Sequence, residues 1–511
     1  MIISLSVLVI TIIVSGTYAL YKAQLSKNIG VNTTTHGLAY YINYVKGTDI
    51  TAATLNPSTS YEGGASSDIE FWKKDDSYDI YGKIELTVNT IGTNLSNSPA
   101  LKYAVVNNGN VLKEGSLKGT TSGSKVTILK NLYLEQTKQI YTVYVWLDNS
   151  EELGNISNES LSISVDCTAS LQKEPTAADT IISLYTSAAK VTATNNSITY
   201  NTAPSVSLMN DRLGGTTTDL DGGNIRYYGA NPNNYIYFNC SDYSNQTSST
   251  CETWRIIGVF DGKLKLIKGS QIGTYSWDNK NISTGAEDDR GKNDWTTARL
   301  MKLLNPDDYY INDNNDKDSE GNYLGYSLYY NSASGMCFTD EGVNYSACDF
   351  TSTGIKNDET RNMIAETTYN LGGWNDTGVY PNEIYEYERG TTVYTGRPTT
   401  WTGKIALAYP SDYGYAADLN QCKDKTLYDY DNSTCTSNNW MKAIITDNGS
   451  NHGWLLTPDS SYSYVAWYSQ GNVGEYFTGA ARGAVPVLSL SSKLGIESGD
   501  GSSSNPYKLS A

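Results

Sequence analysis

Histidine is almost missing from this chain: two occur in 511 residues, His36 and His452. Their scarcity removes most of the side chains that ligate zinc or act as the base beside a serine or cysteine nucleophile. The sequence contains no H-E-x-x-H and no C-x-x-C, so the common zinc signatures are absent as well. Positive charge is in short supply. There are 37 Lys and Arg against 54 Asp and Glu, a net charge of -17, and a field of that sign repels phosphate backbones, which argues against a nucleic-acid partner. Phenylalanine is rare too, with 6 residues against 42 Tyr. Tyrosine in a background of Gly, Asn, Ser and Thr suits strands, turns and amphipathic contact surfaces rather than helical bundles. The expected fold class is therefore mainly β with some α.

A long apolar run opens the sequence, MIISLSVLVITIIVSGTYAL. It is long enough to cross a bilayer or to serve as the core of an export signal, and residues 1–21 are assigned as signal peptide or membrane anchor. Thr17 and Ala19 give the small-x-small spacing for a cut after Ala19. No basic residue precedes the run, while Lys22 and Lys27 follow it. The last residues, NPYKLSA, carry no apolar tail and no sortase-type signal, so no conventional wall anchor is expected.

Six of the seven cysteines fall into three local pairs, Cys240 with Cys251, Cys337 with Cys348, and Cys422 with Cys435. Each pair brackets a polar stretch, as in loops stapled by disulfides in an oxidising compartment. Closing a ring of about a dozen residues contributes about 3 kcal/mol in the chain-entropy picture. Cys167 is left over and reads as a buried small hydrophobe. Together with the leader, these bridges place the protein outside the cell or on its surface, anchored if the N-terminal helix is retained.

Between residues 30 and 170 the chain reads as successive strands of a β-sandwich or jelly roll. Ile84, Leu86 and Val88 alternate with Lys83, Glu85 and Thr87, and the same period recurs at Tyr141, Val143, Val145 and at Leu161, Ile163, Val165. Asn108-Gly109 marks a type I′ hairpin. The segments SGTYALYKA, DIEFW, DIYGKIELTVN, YTVYVWLDNSEELGN and LSISVDC together resemble the camelysin/TasA group of biofilm-matrix proteins. Some members of that group have been called metalloproteases, but His36 alone cannot hold zinc here.

Residues 171–223 read as a linker with a short helix, started by a capping box of Thr176 with Asp179. Residues 224–511 form a larger α+β domain. Two helices are expected in it, one from Asp294 through Leu300, Leu303 and Leu304, the other from Asp358 through Met363, Thr367 and Leu371 to Gly372-Gly373. The segments GGNIRYYGANPNNYIYFN, WRIIGVFDGKLKLI, ERGTTVYTGRPTTWTGKIALAYPSDYGYA, WLLTPDSSYSY, GAARGAVPVLSL and GDGSSSNPYKL resemble a domain family abundant in surface proteins of gut Gram-positive bacteria. The order of elements resembles the C-type-lectin-like fold of the formylglycine-generating-enzyme relatives. The resemblance implies a fold and no chemistry.

No catalytic constellation emerges, and no cofactor or metal is implied. The lone His452 lacks a nucleophile partner. The acidic runs Glu287, Asp288, Asp289 and Asp307, Asp308 read as solvated loops, and DKDSEG at 316–321 begins like a calcium loop but has Ser327 where the bidentate Glu belongs. The candidate ligand-binding residues are the aromatics Trp454, Tyr462, Tyr464, Trp467 and Tyr468, with Tyr476 nearby, set among Ser, Asn and Gly as in sugar-binding sites. Trp254, Trp401 and Arg482 read as framework. The function expected is non-enzymatic adhesion to a glycan or to a host or matrix protein. The alternatives are a fibre subunit that self-associates by strand addition, using the segment after Ala19, and an extracellular enzyme.

Overall fold

The computed structural model describes residues 23–25, 41–51, 55–151, 153, 155–156, 159–195, 198–213, 223–279, 290–306, 325–339, 345–447 and 452–510. The protein is mainly β and divides into two compact units, residues 1–174 and 175–511. The expected leader helix and the acidic stretches at 287–289, 307–308 and 316–321 lie outside the described residues. Among the described residues no helix is long and apolar enough to cross a membrane.

The first unit is a β-sandwich. One sheet runs in the order Ala23–Leu25, Leu161–Ser170, Tyr81–Ile91, Lys125–Tyr133, and the other Ile42–Val45, Ala65–Lys73, Ile140–Asp148, Leu101–Asn107, Asn110–Ser116. The period-2 alternation sets which face is buried. Ile84, Leu86 and Val88 are withdrawn completely while Lys83, Glu85 and Thr87 between them stay partly open. The register pairs Val165 with Leu86 and Cys167 with Ile84. These residues share one core with Ile69, Phe71, Tyr141, Val143 and Val145 of the facing sheet. Cys167 is thus a core residue, and burial pushes its thiol pKa well up. Asn108 and Gly109 both take positive φ, 50° and 77°, as the hairpin requires.

The second unit begins earlier than the sequence reading placed it. The capping box forms, with Thr176 Oγ1 accepting from the Asp179 amide and Asp179 accepting from Thr176. The helix Ala177–Ser187 then buries Ile181 and Tyr185 in the core of this unit. Val191–Asn195, Ile198–Ala203 and Leu208–Asn210 continue as strands of its nine-stranded sheet, next to Ile225–Tyr227, Glu252–Phe260, Lys263–Lys268, Val487–Ser489 and Ile405–Ala406. Residues 175–213 of the supposed linker belong to this folded unit. Their Thr- and Asn-rich composition disguises strands that hydrogen-bond to the sheet and bury Tyr200, Ala203, Leu208 and Met209.

Both expected helices are shorter than read. Asp294 caps a turn, accepting from the Thr296 amide at 3.1 Å, and the helix itself spans Arg299–Leu304. The second helix stops at Met363. Thr367–Asn370 becomes a strand paired with Thr400–Gly403, because adjacent β-branched threonines favour the extended chain once a partner strand is at hand.

The three cysteine pairs are bonded as expected, and all lie in this unit. Its central strands are covered on both faces. Ile256 and Leu266 point into one apolar cluster, and their neighbours Ile257 and Ile267 into another.

Candidate ligand-binding face

A second sheet of the 175–511 unit carries the aromatic residues singled out by sequence. Its order is Thr274–Ser276, Ala481–Gly483, Gly453–Pro458, Val465–Ser469, Val473–Phe477. Register decides which side chains share a face. Trp454 pairs with Tyr468, Tyr468 with Gly474, and Ala466 with Tyr476, so these project on one side; Trp467 and Glu475 project on the other.

The two tryptophans do not serve as contact residues. Trp454 and Trp467 are both 0 % exposed, Trp454 in one apolar cluster and Trp467 in the other. Their indole N–H groups are satisfied by the carbonyls of Tyr275 and Trp374. The expectation that they face a ligand fails because this sheet is covered on both sides where they sit. Trp254 and Trp401 are buried as well.

The tyrosines remain accessible. Tyr462 is 53 % exposed and Tyr476 41 %, with Tyr464 and Tyr468 half-buried. Ring contacts join them into one run. His452 stacks on Tyr468 at 5.4 Å, Tyr468 meets Tyr476 at 6.3 Å, Tyr476 meets Phe477 at 5.0 Å, Phe477 meets Tyr464 at 5.7 Å, and Tyr464 meets Tyr462 at 6.0 Å. Gly474 makes room for this run, since a Cβ there would stand 3.1 Å from the Tyr468 ring.

Two arginines lie against the run. The Arg290 guanidinium sits 3.6 Å from the Tyr464 centroid. Arg482, read from sequence as framework, lies 4.2 Å from Tyr468 and 4.4 Å from Tyr476, with Trp454 beneath at 5.9 Å. Its Nη1 donates to His452 Nδ1, which makes Nε2 the protonated nitrogen of a neutral imidazole. Burial and the neighbouring guanidinium charge hold the His452 pKa below its ordinary value. Burial also lowers the Arg482 pKa, with the Tyr468 and Tyr476 phenols opposing. Arg482 Nε is enclosed with no hydrogen-bond partner.

Arg482 has no carboxylate partner among the described residues, unlike Arg226 and Lys265 in the interior of the unit. Arg226 reaches Asp211 at 2.6 Å and Asp412 at 3.1 Å, and Lys265 also pairs with Asp412. That network is fully enclosed and internally neutralised, as a structural ion cluster must be. The Arg482 group, by contrast, offers donors and ring faces at a partly open surface, which suits a polar or anionic group stacked against tyrosine. Sequence reasoning missed Arg482, His452 and Phe477, because each becomes informative only when the strands of this sheet are assembled.

No family model matches the chain, and no curated protein matches it. Among solved structures it aligns with an acetyl xylan esterase, Est2A, from the rumen bacterium Butyrivibrio proteoclasticus, at 12% identity and a TM-score of 0.15, over 30% of this chain and 34% of the esterase. It also aligns with the receptor-binding domain of botulinum neurotoxin mosaic serotype C/D, at 12% identity and a TM-score of 0.15, over 52% of this chain and 75% of that one. The chain spans about a third of the esterase's length. Likeness at this level carries no argument about fold or activity.

Proposed function

We propose that this is an exported, non-enzymatic binding protein of the cell surface or extracellular matrix, whose second unit is a lectin-like head holding a glycan or a host or matrix protein on the Tyr468–Tyr476–Arg482 face. One observation carries the reading. A guanidinium without a carboxylate partner among the described residues lies between two tyrosine rings, one of them 41 % exposed. Rings of this kind present rigid contact area at small entropic cost, and an arginine with no acidic partner supplies directional donors. Support for a location outside the cytosol comes from three bridges in one domain, since such bonds persist where thiols are not kept reduced. The test is an array of glycans and matrix proteins probed with the full chain. A hit should weaken about tenfold or more on Tyr476→Ala or Arg482→Gln with the melting temperature unchanged. Silence across broad arrays, or a hit that ignores both substitutions, rejects the reading.

A second reading, a fibre subunit, is favoured by the edge position of Ala23–Leu25, which pairs antiparallel with Leu161–Ser170. A three-residue edge strand is one that the same segment of another copy can replace. Electron microscopy showing only monomers of the full chain dismisses this alternative.

A further inference from the structure

A second arginine of the 175–511 unit also lacks an acid, and it is buried far more deeply. Arg255, on the strand Glu252–Phe260, keeps 7% of its surface. Its Nε donates to Asn234 Oδ1, and its Nη2 to the Pro232 carbonyl at 3.3 Å. The guanidinium lies 3.7 Å from the Tyr235 centroid and 4.9 Å from that of Trp440. Burial brings its pKa down to about 10, and the Tyr235 phenol is the one neighbour whose charge opposes the fall. It is therefore a cation at neutral pH with no Asp or Glu beside it among the described residues. Lys265 and Lys268, similarly enclosed, are paired with Asp412 and Glu252.

The donors can be counted. A guanidinium carries five N–H groups. One on Nε and one on Nη2 are engaged, which leaves three without a partner among the described residues, two on Nη1 and one on Nη2. Nη1 is not sealed from solvent. The surrounding groups are fixed: Asn234 Nδ2 donates to the Ile256 carbonyl at 2.8 Å, and Trp440 Nε1 to the Tyr227 carbonyl at 3.0 Å. A cation preset in this way, with a free fork and aromatic walls, lowers the ordering cost for a planar anion.

We propose that the end-on fork of Arg255 is a binding site for a single carboxylate, carried by an acidic sugar or by the C-terminus of a peptide, with Tyr235 and Trp440 as its walls. A carboxylate is favoured over a phosphate dianion because one guanidinium supplies one positive charge, inside a molecule whose net charge is -17. Arg255 lies on the nine-stranded sheet and Arg482 on the five-stranded one, so this site is separate from the tyrosine face.

The test is calorimetric titration of the full, oxidised chain with D-glucuronate, with D-glucose as its uncharged counterpart, and with a short peptide as free acid and as amide. The account expects saturable binding of glucuronate, of the free-acid peptide, or of both, at least tenfold weaker for glucose and for the amide; which of the two acids binds tells sugar from peptide. Arg255→Lys keeps the charge, loses the fork, and should weaken binding about tenfold or more. Should that variant fail to fold, the Arg255 guanidinium nitrogen resonances of the unaltered protein must shift on titration with the acid that binds. The proposal is overturned by no saturable binding of either acid up to about 10 mM, a ceiling weaker than any useful site. It is equally overturned by binding that survives Arg255→Lys, by binding that is lost on Arg482→Gln instead, or by nitrogen resonances that stay still while ligand binds.

Discussion

The paired long strands of the 1–174 unit bury alternate residues in a single core, whereas the central strands of the 175–511 unit are buried on both faces. That difference sets how each is held together. Where one face meets water, polar groups stay outside and the core is almost purely apolar. Where both faces are covered, charged residues are carried inside, and Arg226, Asp211, Asp412 and Lys265 pair with one another there. The second unit also has shorter elements and longer connections, and it holds all three disulfides, while the first holds one buried thiol. One unit is stabilised by repetition, the other by cross-links and specific pairs.

Reduction breaks this comparison most severely. Each bridge closes a short ring, 11, 11 and 13 residues apart in sequence, and each removal costs about 3 kcal/mol in the chain-entropy picture. In calorimetry with dithiothreitol, the transition of the second unit should fall steeply while that of the first stays in place. Equal shifts in both would mean that the bridges do not hold one unit in particular.

Single side chains sharpen the contrast within the tyrosine-bearing sheet. Trp467→Ala empties a fully buried site and should destabilise the second unit by about 3–5 kcal/mol, whereas Tyr476→Ala, at a surface position, should stay within about 1 kcal/mol. Denaturant unfolding of the two variants checks the pair. Similar losses for both would put Tyr476 in the core and remove it from any binding face.

Acidity separates the units with a smaller effect. Burial pushes Asp278 and Glu388 of the second unit up to about 7, from 3.8 and 4.5. Between pH 4 and 7 the folded state keeps protons that the unfolded chain has released, so stability falls as pH rises through that window. In the first unit, the Lys102 and Ser150 hydrogen bonds overcome partial burial and hold Asp148 at about 2. Its contribution has the opposite sign and is lost only as pH falls from about 4 towards 2. From pH 5 to 8 the second unit's melting temperature should therefore drop by several degrees while the first unit's stays level.

Much of the first unit could be read directly from sequence. Ile84, Leu86 and Val88 announce their strand and its buried face, and Asn108-Gly109 announces its turn. The cysteine pairs were legible through spacing alone, and the Thr176–Asp179 capping box through its local pattern. What stayed hidden depends on distant partners. Thr367 and Leu371 keep a helical spacing, yet the chain there pairs with Thr400–Gly403. Trp454 and Trp467 sit in a stretch with the composition of a sugar site, and only the cover on both faces of the sheet removes them from it. Arg482 gained its place when Tyr468 and Tyr476 arrived from other strands of the sheet.

The account rests on a second unit clamped by oxidised bridges, which holds its arginine and tyrosines in place outside the cytosol. Protein taken from its own cells, denatured, and alkylated without reduction should carry one label, on Cys167, because six of the seven cysteines are bonded. Intact mass spectrometry reads that number. Seven labels would show the bridges unformed where the protein works, and would contradict both the proposed location and the stapled head.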